Sequence, residues 1–328
     1  MGKAVIYYII LVLLAFGCIA FMYMQNTKFD DPYDKDLINE VKIDSSFPTY
    51  GLKGYQSKFA IVDDENVVAD VFQNDTYATL LVNKENRNPI VSYNSLRRIY
   101  PASTTKVMTG IIVCDALNEG KIGLDQTVTL SHEIEIDEEG ALVSDLHEGY
   151  TITVRNLLYG LMMRSYNDYA VILAELIAGD ESSFCDMMNK KAYEIGATGS
   201  HFMNPHGLHD DNHYITAYDM YLILNEASKY EILNEIDSNS SFSYYYNDAS
   251  GEVWTDDISP TNEFLSGKSK LPSNITIHEW KTGTTEAAGN ILTMNVEINS
   301  KKYFLFVADS VSPDDLYDKI GILFNLCK

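Results

Sequence analysis

The spacing of apolar positions changes character several times along the chain, and each change predicts an element. Ala4 to Met24 is an uncharged apolar run, long enough as a helix to cross a bilayer core of about 30 Å. From Gln25 to about Gln73 polar and acidic residues dominate, with Pro32 and Pro48 among them, which predicts a stalk. Within it, Lys58 to Val71 mixes apolar and acidic positions and is read as a candidate additional strand. Ala78–Val82 and Pro89–Tyr93 then flank the polar stretch Lys84–Asn88, the pattern of a β-hairpin. A helical middle follows. It comprises a helix opened by Ser103, a segment from Val154 to Met163 capped by Thr153, and one from Asp168 to Ala178 stopped by Gly179. Helices from Glu181 to Ile195 and from Ala217 to Ser228 complete it. Strand-like spacing returns in Asn274–Thr282, Asn290–Ile298 and Lys302–Asp309, the last two joined at Asn299-Ser300, and a closing helix runs from Pro313 to Cys327. Strands at both ends with helices between predict an α+β domain, in which the terminal strands pair into one antiparallel sheet packed against the helical region.

Composition sharpens this outline. The chain has 328 residues with 46% hydrophobic and 22% charged side chains, enough to bury a full core and unlike a disordered chain. Lys3 precedes the apolar run and Asp30, Asp31 and Asp34 follow it, so the positive-inside rule places the bulk of the chain outside the cell. A cleaved signal peptide or a lipoprotein site at Gly17-Cys18 is the competing reading; bulky Phe16 and the continuing run Ile19–Met22 favour an uncleaved anchor. The expected organisation is therefore a cytoplasmic stub and transmembrane anchor over 1–26, an extracellular stalk over 27–75 and a catalytic domain over 76–328. A net charge of -23 argues against nucleic acid as a partner. Four scattered cysteines, Cys18, Cys114, Cys185 and Cys327, form no disulfide framework and no metal-binding spacing.

Candidate chemistry lies in three short motifs in a fixed order: Ser103-Thr-Thr-Lys106, Ser165-Tyr-Asn167 and Lys281-Thr-Gly283. Ser103 follows Pro101-Ala102 and opens an apolar helix, so Ser103 and Lys106 share one helix face. A serine hydroxyl needs a nearby base to attack at neutral pH, and a desolvated lysine beside another cation can lose its proton to serve as one. Lys281 is the candidate second cation. The helix N-terminus beneath Ser103 offers free N–H groups where an oxyanion would form. Each motif is weak alone, since a serine at a helix start is often a cap, an exposed lysine a snorkelling charge and a strand-edge lysine a guard against aggregation. Their joint order points to a serine acyltransferase.

These segments resemble the low-molecular-weight penicillin-binding proteins, the serine-type D-alanyl-D-alanine carboxypeptidases, whose motif trio is an established association. The resemblance extends over Pro101–Thr109, Leu157–Leu161, Ser165–Asp168, Asn204–Leu208, Lys281–Thr285 and Ala288–Asn290. It implies a β-lactamase/transpeptidase-like fold and a division of labour. Ser103 is the nucleophile, Lys106 the general base, Ser165 a proton relay to the leaving amine, and Asn167 an orienting amide. Lys281 supplies positive charge, Thr282 and Thr284 hydroxyls hold the substrate carboxylate, Gly283 admits a close backbone approach, and the N–H groups of Ser103 and Thr284 form the oxyanion hole. No cofactor or metal is implied. The implied partners are peptidoglycan stem peptides, β-lactam antibiotics as covalent inhibitors, and the membrane through the N-terminal helix. Two departures stand out. Many relatives carry a second β-rich domain and a C-terminal amphipathic anchor, so the anchor here is expected at the N-terminus; and Tyr166 fills a slot often held by small residues, where it would narrow the cleft or stack on substrate.

Other features have plainer readings. His206, His209 and His213 crowd one loop without a carboxylate at metal-binding spacing. The acidic run Glu133–Glu139 reads as a solvated loop, and Tyr244-Tyr245-Tyr246 as strand packing. Three competing functions are weighed. A class A-like β-lactamase needs a deacylating carboxylate after the second motif, and Gly196–Leu208 contains no Asp or Glu. A D,D-endopeptidase needs the same machinery with a different cleft, and an inactive wall-binding protein would not require intact motifs.

Overall fold

The computed structural model describes residues 59–60, 62, 78–138 and 140–327, so the expected anchor and most of the stalk, with its candidate strand, lie outside the described residues. Among those described, no helix is long and apolar enough to cross a membrane.

Two antiparallel sheets organise the domain. The larger contains β1 (Ala78–Asn83), β2 (Asn88–Tyr93), β7 (Ile275–Thr285), β8 (Gly289–Ile298) and β9 (Lys301–Ser310), in the spatial order β2-β1-β9-β8-β7. The expected pairing of the chain's terminal strands is therefore found, with Ala78 opposite Ala308 and Asn83 opposite Tyr303. The strands are apolar on both sides, because both faces are covered. Leu80, Phe304 and Phe306 turn to the helical core, whereas Leu81, Leu305 and Val307 turn to a second cluster under the last helix, Pro313–Leu326. The edge strand β7 carries Lys281. It runs through Thr285, beyond the end expected from apolar spacing.

The helical layer comprises α1 (Lys106–Asn118), α2 (Val154–Tyr159), α3 (Asn167–Ala178), α4 (Glu181–Ile195), α5 (Ala217–Ala227) and α6 (Glu231–Asp237), with a short α7 (Glu263–Ser266) and the closing α8 (Pro313–Leu326). α1 is buried almost all round from Lys106 to Ala116, which explains its unbroken apolar composition. Thr153, Asp180, Thr216 and Ser312 each accept a hydrogen bond from an N–H of the following first turn, and Gly179 and Gly196 close their helices in left-handed conformation.

Two expectations need correction. A second sheet of four strands exists, β3 (Thr127–Thr129), β4 (Thr151–Thr153), β5 (Phe242–Asn247) and β6 (Val253–Ile258), where a single sheet was expected. The segment from Val154 to Met163 is not one α-helix either, since after Tyr159 it widens into a π turn over Gly160–Arg164. α6 and α7 also went unanticipated.

Candidate active site

Ser103 sits in a tight 3-10 turn, Ala102–Thr105, which leads directly into α1. A 3-10 turn eclipses residues i and i+3, and here that sets Lys106 under Ser103, with Lys106 Nζ 2.9 Å from Ser103 Oγ. Ala102, immediately before the serine, has a positive φ of 47°, a strained conformation for a residue with a Cβ. The structure thus retains the expected shared face, although Ser103 precedes the α-helix rather than standing in its first turn.

Lys106 is fully buried. Besides Ser103 Oγ, its Nζ donates to Asn167 Oδ1 and to the His206 carbonyl, both at 2.7 Å. Burial pushes its pKa well below the ordinary lysine value, the neighbouring Lys281 pushes it further, and Asp168 partly opposes them. Two carbonyl acceptors match the two N–H groups of a neutral amine, which leaves the lone pair for the serine hydroxyl. The Asp168 carboxylate is tied to Ser144 N–H and Oγ.

The second motif forms where the π turn ends. Ser165 adopts a left-handed conformation, φ 68°, which aims its side chain back across the cleft, and Asn167 begins α3. A π turn at this place follows the tendency of such turns to occur at functional sites. Lys281 Nζ, also fully buried, donates to Ser165 Oγ at 2.9 Å and to the Thr282 carbonyl at 3.1 Å. Burial lowers its pKa to about 7, with Asp237 opposing. Asp237, at the end of α6, is itself buried, and its carboxyl pKa is raised well above the usual range, first by burial and then by Glu279.

β7 closes the site at van der Waals distance. A Cβ on Gly283 would stand 3.0 Å from Ser103 N and 3.1 Å from the Pro101 carbonyl, so only glycine lets the strand lie against the Ser103 turn without displacement. Thr282 Oγ1 pairs with Thr261 Oγ1 at 2.5 Å, and Thr284, on the exposed side, donates to Asn290 Oδ1 at 3.1 Å. All eight residues singled out from the sequence, Ser103, Lys106, Ser165, Asn167, Lys281, Thr282, Gly283 and Thr284, thus lie on three stretches of chain that meet around Ser103.

The histidine loop supports this centre from below. Gly207, at φ 92°, leaves no room for a side chain, since a Cβ would lie 1.9 Å from the Ala102 carbonyl. His213 hydrogen-bonds Thr105 Oγ1 through Nε2 at 2.9 Å and accepts Met203 N–H through Nδ1 at 3.3 Å. His206 Nδ1 accepts Leu208 N–H at 3.1 Å. Burial holds both imidazoles down to about 3. The rings are neutral hydrogen-bonding struts, and among the described residues no His, Cys, Asp or Glu group is arranged to hold a metal ion.

Sequence reasoning missed three partners, the His206 carbonyl, Asp237 and Asp256, the last of which receives the Tyr166 phenol expected to line the cleft. The His206 carbonyl is a backbone acceptor with no side-chain signature, although the Pro205-His-Gly207 turn marked the loop. Asp237 reads as an ordinary polar helix end. Tyr166 turns its phenol to the small sheet, donating to Asp256 Oδ2 at 3.1 Å, and Tyr244 donates to the same oxygen at 2.7 Å.

Residues 65–311 match the family model of D-alanyl-D-alanine carboxypeptidases. The chain belongs to this family. It is 30% identical over 239 residues to the D-alanyl-D-alanine carboxypeptidase DacF of Bacillus subtilis, an alignment that covers 73% of this chain and 58% of that one. It is 27% identical over 231 residues to a D-alanyl-D-alanine endopeptidase of Pseudomonas aeruginosa, covering 70% of each. This chain spans 58% and 52% of the length of two of the curated carboxypeptidases that it matches. The fold is shared with the Streptomyces K15 DD-transpeptidase, at a TM-score of 0.66, 24% identity and coverage of 76% of this chain and 95% of that one. It is shared too with penicillin-binding protein D2 of Listeria monocytogenes in its cefotaxime-bound form, at a TM-score of 0.64, 21% identity and coverage of 77% and 96%.

Proposed function

We propose that this chain is a serine D-alanyl-D-alanine carboxypeptidase that removes the terminal D-alanine from peptidoglycan stem pentapeptides. One observation carries the reading: a fully buried Lys106 whose amine stands 2.9 Å from Ser103 Oγ while two carbonyls occupy its other positions. The neutral amine takes the Ser103 proton as Oγ attacks the carbonyl carbon of the penultimate D-alanine. The resulting oxyanion is received by the N–H groups of Ser103 and Thr284, each such donor supplying about 3 kcal/mol in comparable enzymes. Collapse breaks the C–N bond, and the proton that Lys106 took from Ser103 passes through Ser165, which Lys281 holds in place, to the departing amine, so that Lys106 is neutral again. Water then attacks the acyl-enzyme, Lys106 again receives a proton, and the shortened peptide leaves with Ser103 restored. Lys281, Thr282 and Thr284 hold the terminal carboxylate. Asn167 fixes the lysine.

A D,D-endopeptidase is the second reading, favoured by the even coverage of the Pseudomonas aeruginosa relative. A lactamase is disfavoured: the loop after the second motif presents a carbonyl and Gly207 to the centre, and Gly196–Leu208 holds no carboxylate. β-lactams, present in the relative from Listeria monocytogenes, are expected to acylate Ser103 persistently. The Ala4–Met24 run and the charges around it support a single membrane span with the domain on the extracellular face.

The test is D-alanine release from a pentapeptide ending in D-Ala-D-Ala, measured alongside a cross-linked dimer. Release by the full chain and none by Ser103→Ala is expected. Release equal in both proteins, or cleavage confined to the cross-link, would overturn the carboxypeptidase reading. Protease added to wall-stripped cells should digest the domain; full protection would reverse the topology.

A further inference from the structure

At the end of β7 away from Gly283, the large sheet forms a second polar concavity. Its volume is about 430 Å³, and Lys84, Asn234, His278, Glu279, Asn295 and Lys302 are among the residues that line it. None belongs to the three motifs. The size falls within the usual range of small-ligand pockets, about 300–1,000 Å³.

Its charged side chains come from β7, β9 and the turn after β1. Lys84 follows β1 and Lys302 lies on β9, held side by side by a hydrogen bond from Lys84 N–H to the Lys302 carbonyl at 2.8 Å. Neither ammonium has an ion-pair or side-chain hydrogen-bond partner among the described residues. Burial pushes Lys84 down to about 8, with Glu279 opposing and Lys302 adding to the fall. Two adjacent cations are complementary to a carboxylate, although Lys84 also feels the Glu279 carboxylate and Lys302 stands opposite Glu297 in the sheet.

Acceptors form the other part of the lining. Asn295 is buried, and its amide N–H donates to Glu279 Oε2 at 2.7 Å. Its own carbonyl oxygen has no partner, nor has that of Asn234. Buried acceptors of this kind are normally satisfied, and the Glu279 carboxylate beside them favours a donor that carries positive charge.

We propose that this cavity is a second ligand site, separate from the catalytic cleft, that takes a small zwitterionic amino compound such as a free amino acid or dipeptide. The ligand carboxylate lies between Lys84 and Lys302, and its ammonium faces Glu279, Asn295 Oδ1 and Asn234 Oδ1. The site is built on the catalytic strand itself, because Glu279 precedes Lys281 by two residues. The inference stands whether or not the carboxypeptidase reading holds.

Glycylglycine titrated calorimetrically into the full chain tests it, with acetate and ethylamine as single-charge controls. Saturable one-to-one binding in the millimolar range or tighter is expected, with each control at least tenfold weaker. The double variant Lys84→Met/Lys302→Met should lose at least tenfold in affinity, and so should Glu279→Gln, which keeps an acceptor for Asn295. Lys302→Glu alone, at an exposed position, should lose affinity while its thermal midpoint stays unchanged, which guards against a folding defect in the other variants. Absence of saturation below 10 mM, about 2.7 kcal/mol of binding by the standard conversion, would overturn the proposal. So would equal binding of acetate, or loss of binding in Thr282→Ala/Thr284→Ala with none in the lysine variants, which would place the ligand in the catalytic cleft.

Discussion

The Ser165 loop is pinned from two sides by two very different sheets. On one side Lys281 of β7 donates to Ser165 Oγ from a fully buried position, on a sheet covered on both faces. On the other, Asp256 of β6 receives the Tyr166 and Tyr244 hydroxyls at the margin of a small sheet that exposes 67% of Tyr245 and 48% of Trp254. The large sheet holds charges out of water, where each is costly unless partnered and where protonation states shift. The small sheet offers redundant hydrogen bonds near solvent, each worth about 1 kcal/mol. Chemistry is thus expected to depend on the first far more than on the second, and variants can break that ordering.

The largest effect should come from Lys106→Arg. A guanidinium keeps the charge but cannot serve as the base, because it presents only N–H donors and no lone pair to the serine. Labelling by a fluorescent penicillin should slow by about 10²–10⁴-fold, the usual contribution of general-base catalysis. A rate within threefold of wild type would remove Lys106 from the mechanism.

Next in size is Gly207→Ala. The added Cβ would overlap the Ala102 carbonyl in a left-handed conformation that itself costs about 1–2 kcal/mol. The loop must therefore retreat, and the His206 carbonyl that receives Lys106 retreats with it. The thermal midpoint should fall by several degrees, and acylation should slow in the folded fraction. An unchanged midpoint would show that the loop is softer than its contacts suggest.

A pH effect of intermediate size follows from Lys281, whose pKa burial lowers to about 7. Its ammonium is present below that value and is lost as pH rises through it. KM for a substrate with a free terminal carboxylate should then rise above about pH 7, by up to tenfold per unit once the neutral form dominates, whereas a C-terminal amide should show no such rise. The same burial costs stability where Lys281 is charged. The folded chain binds fewer protons than the unfolded between about 7 and the ordinary lysine value of 10.5, so this group makes stability increase with pH across that window. Parallel KM profiles for acid and amide would dissociate Lys281 from carboxylate binding.

The contrast between the sheets also governs what could be read in the sequence. β1, β8 and β9 are apolar runs long enough to stand out, and the three motifs carry rare residue combinations, so the large sheet and the three segments that meet around Ser103 were legible. β3 and β4 have three residues each, too few to establish a period. β6, Val253–Ile258, is mostly exposed and places Asp256-Asp257 in a strand, against local preference. Its pairing with β5 is therefore a tertiary outcome. The π turn is equally silent, because the apolar spacing of Val154–Met163 fits a helix while the path is set by Gly160, where a Cβ would strike the Tyr169 ring at 2.3 Å. The His206 carbonyl and the burial of Asp237 depend on chain path alone.

The smallest expected effect belongs to Tyr166→Phe, and it tests the redundant side of the comparison. The variant deletes one donor to Asp256 Oδ2 but keeps the ring against Gly160 and Tyr169. Asp256 retains the Tyr244 hydroxyl at 2.7 Å, and Tyr244 remains linked to Tyr169, also at 2.7 Å. No buried group is left without a partner, so the loss should stay near 0.5–1.5 kcal/mol, about the net worth of one hydrogen bond. The Tyr166 phenol, already pushed up to about 12 by burial and Asp256, is uncharged at working pH, so removing its oxygen alters no charge in the site. Ser165, still held by Lys281, should keep its position, and penicillin acylation should remain within about threefold of wild type, less than 1 kcal/mol of barrier. A loss of a hundredfold or more would mean that the small sheet sets the Ser165 geometry and that the apparent redundancy around Asp256 is not functional.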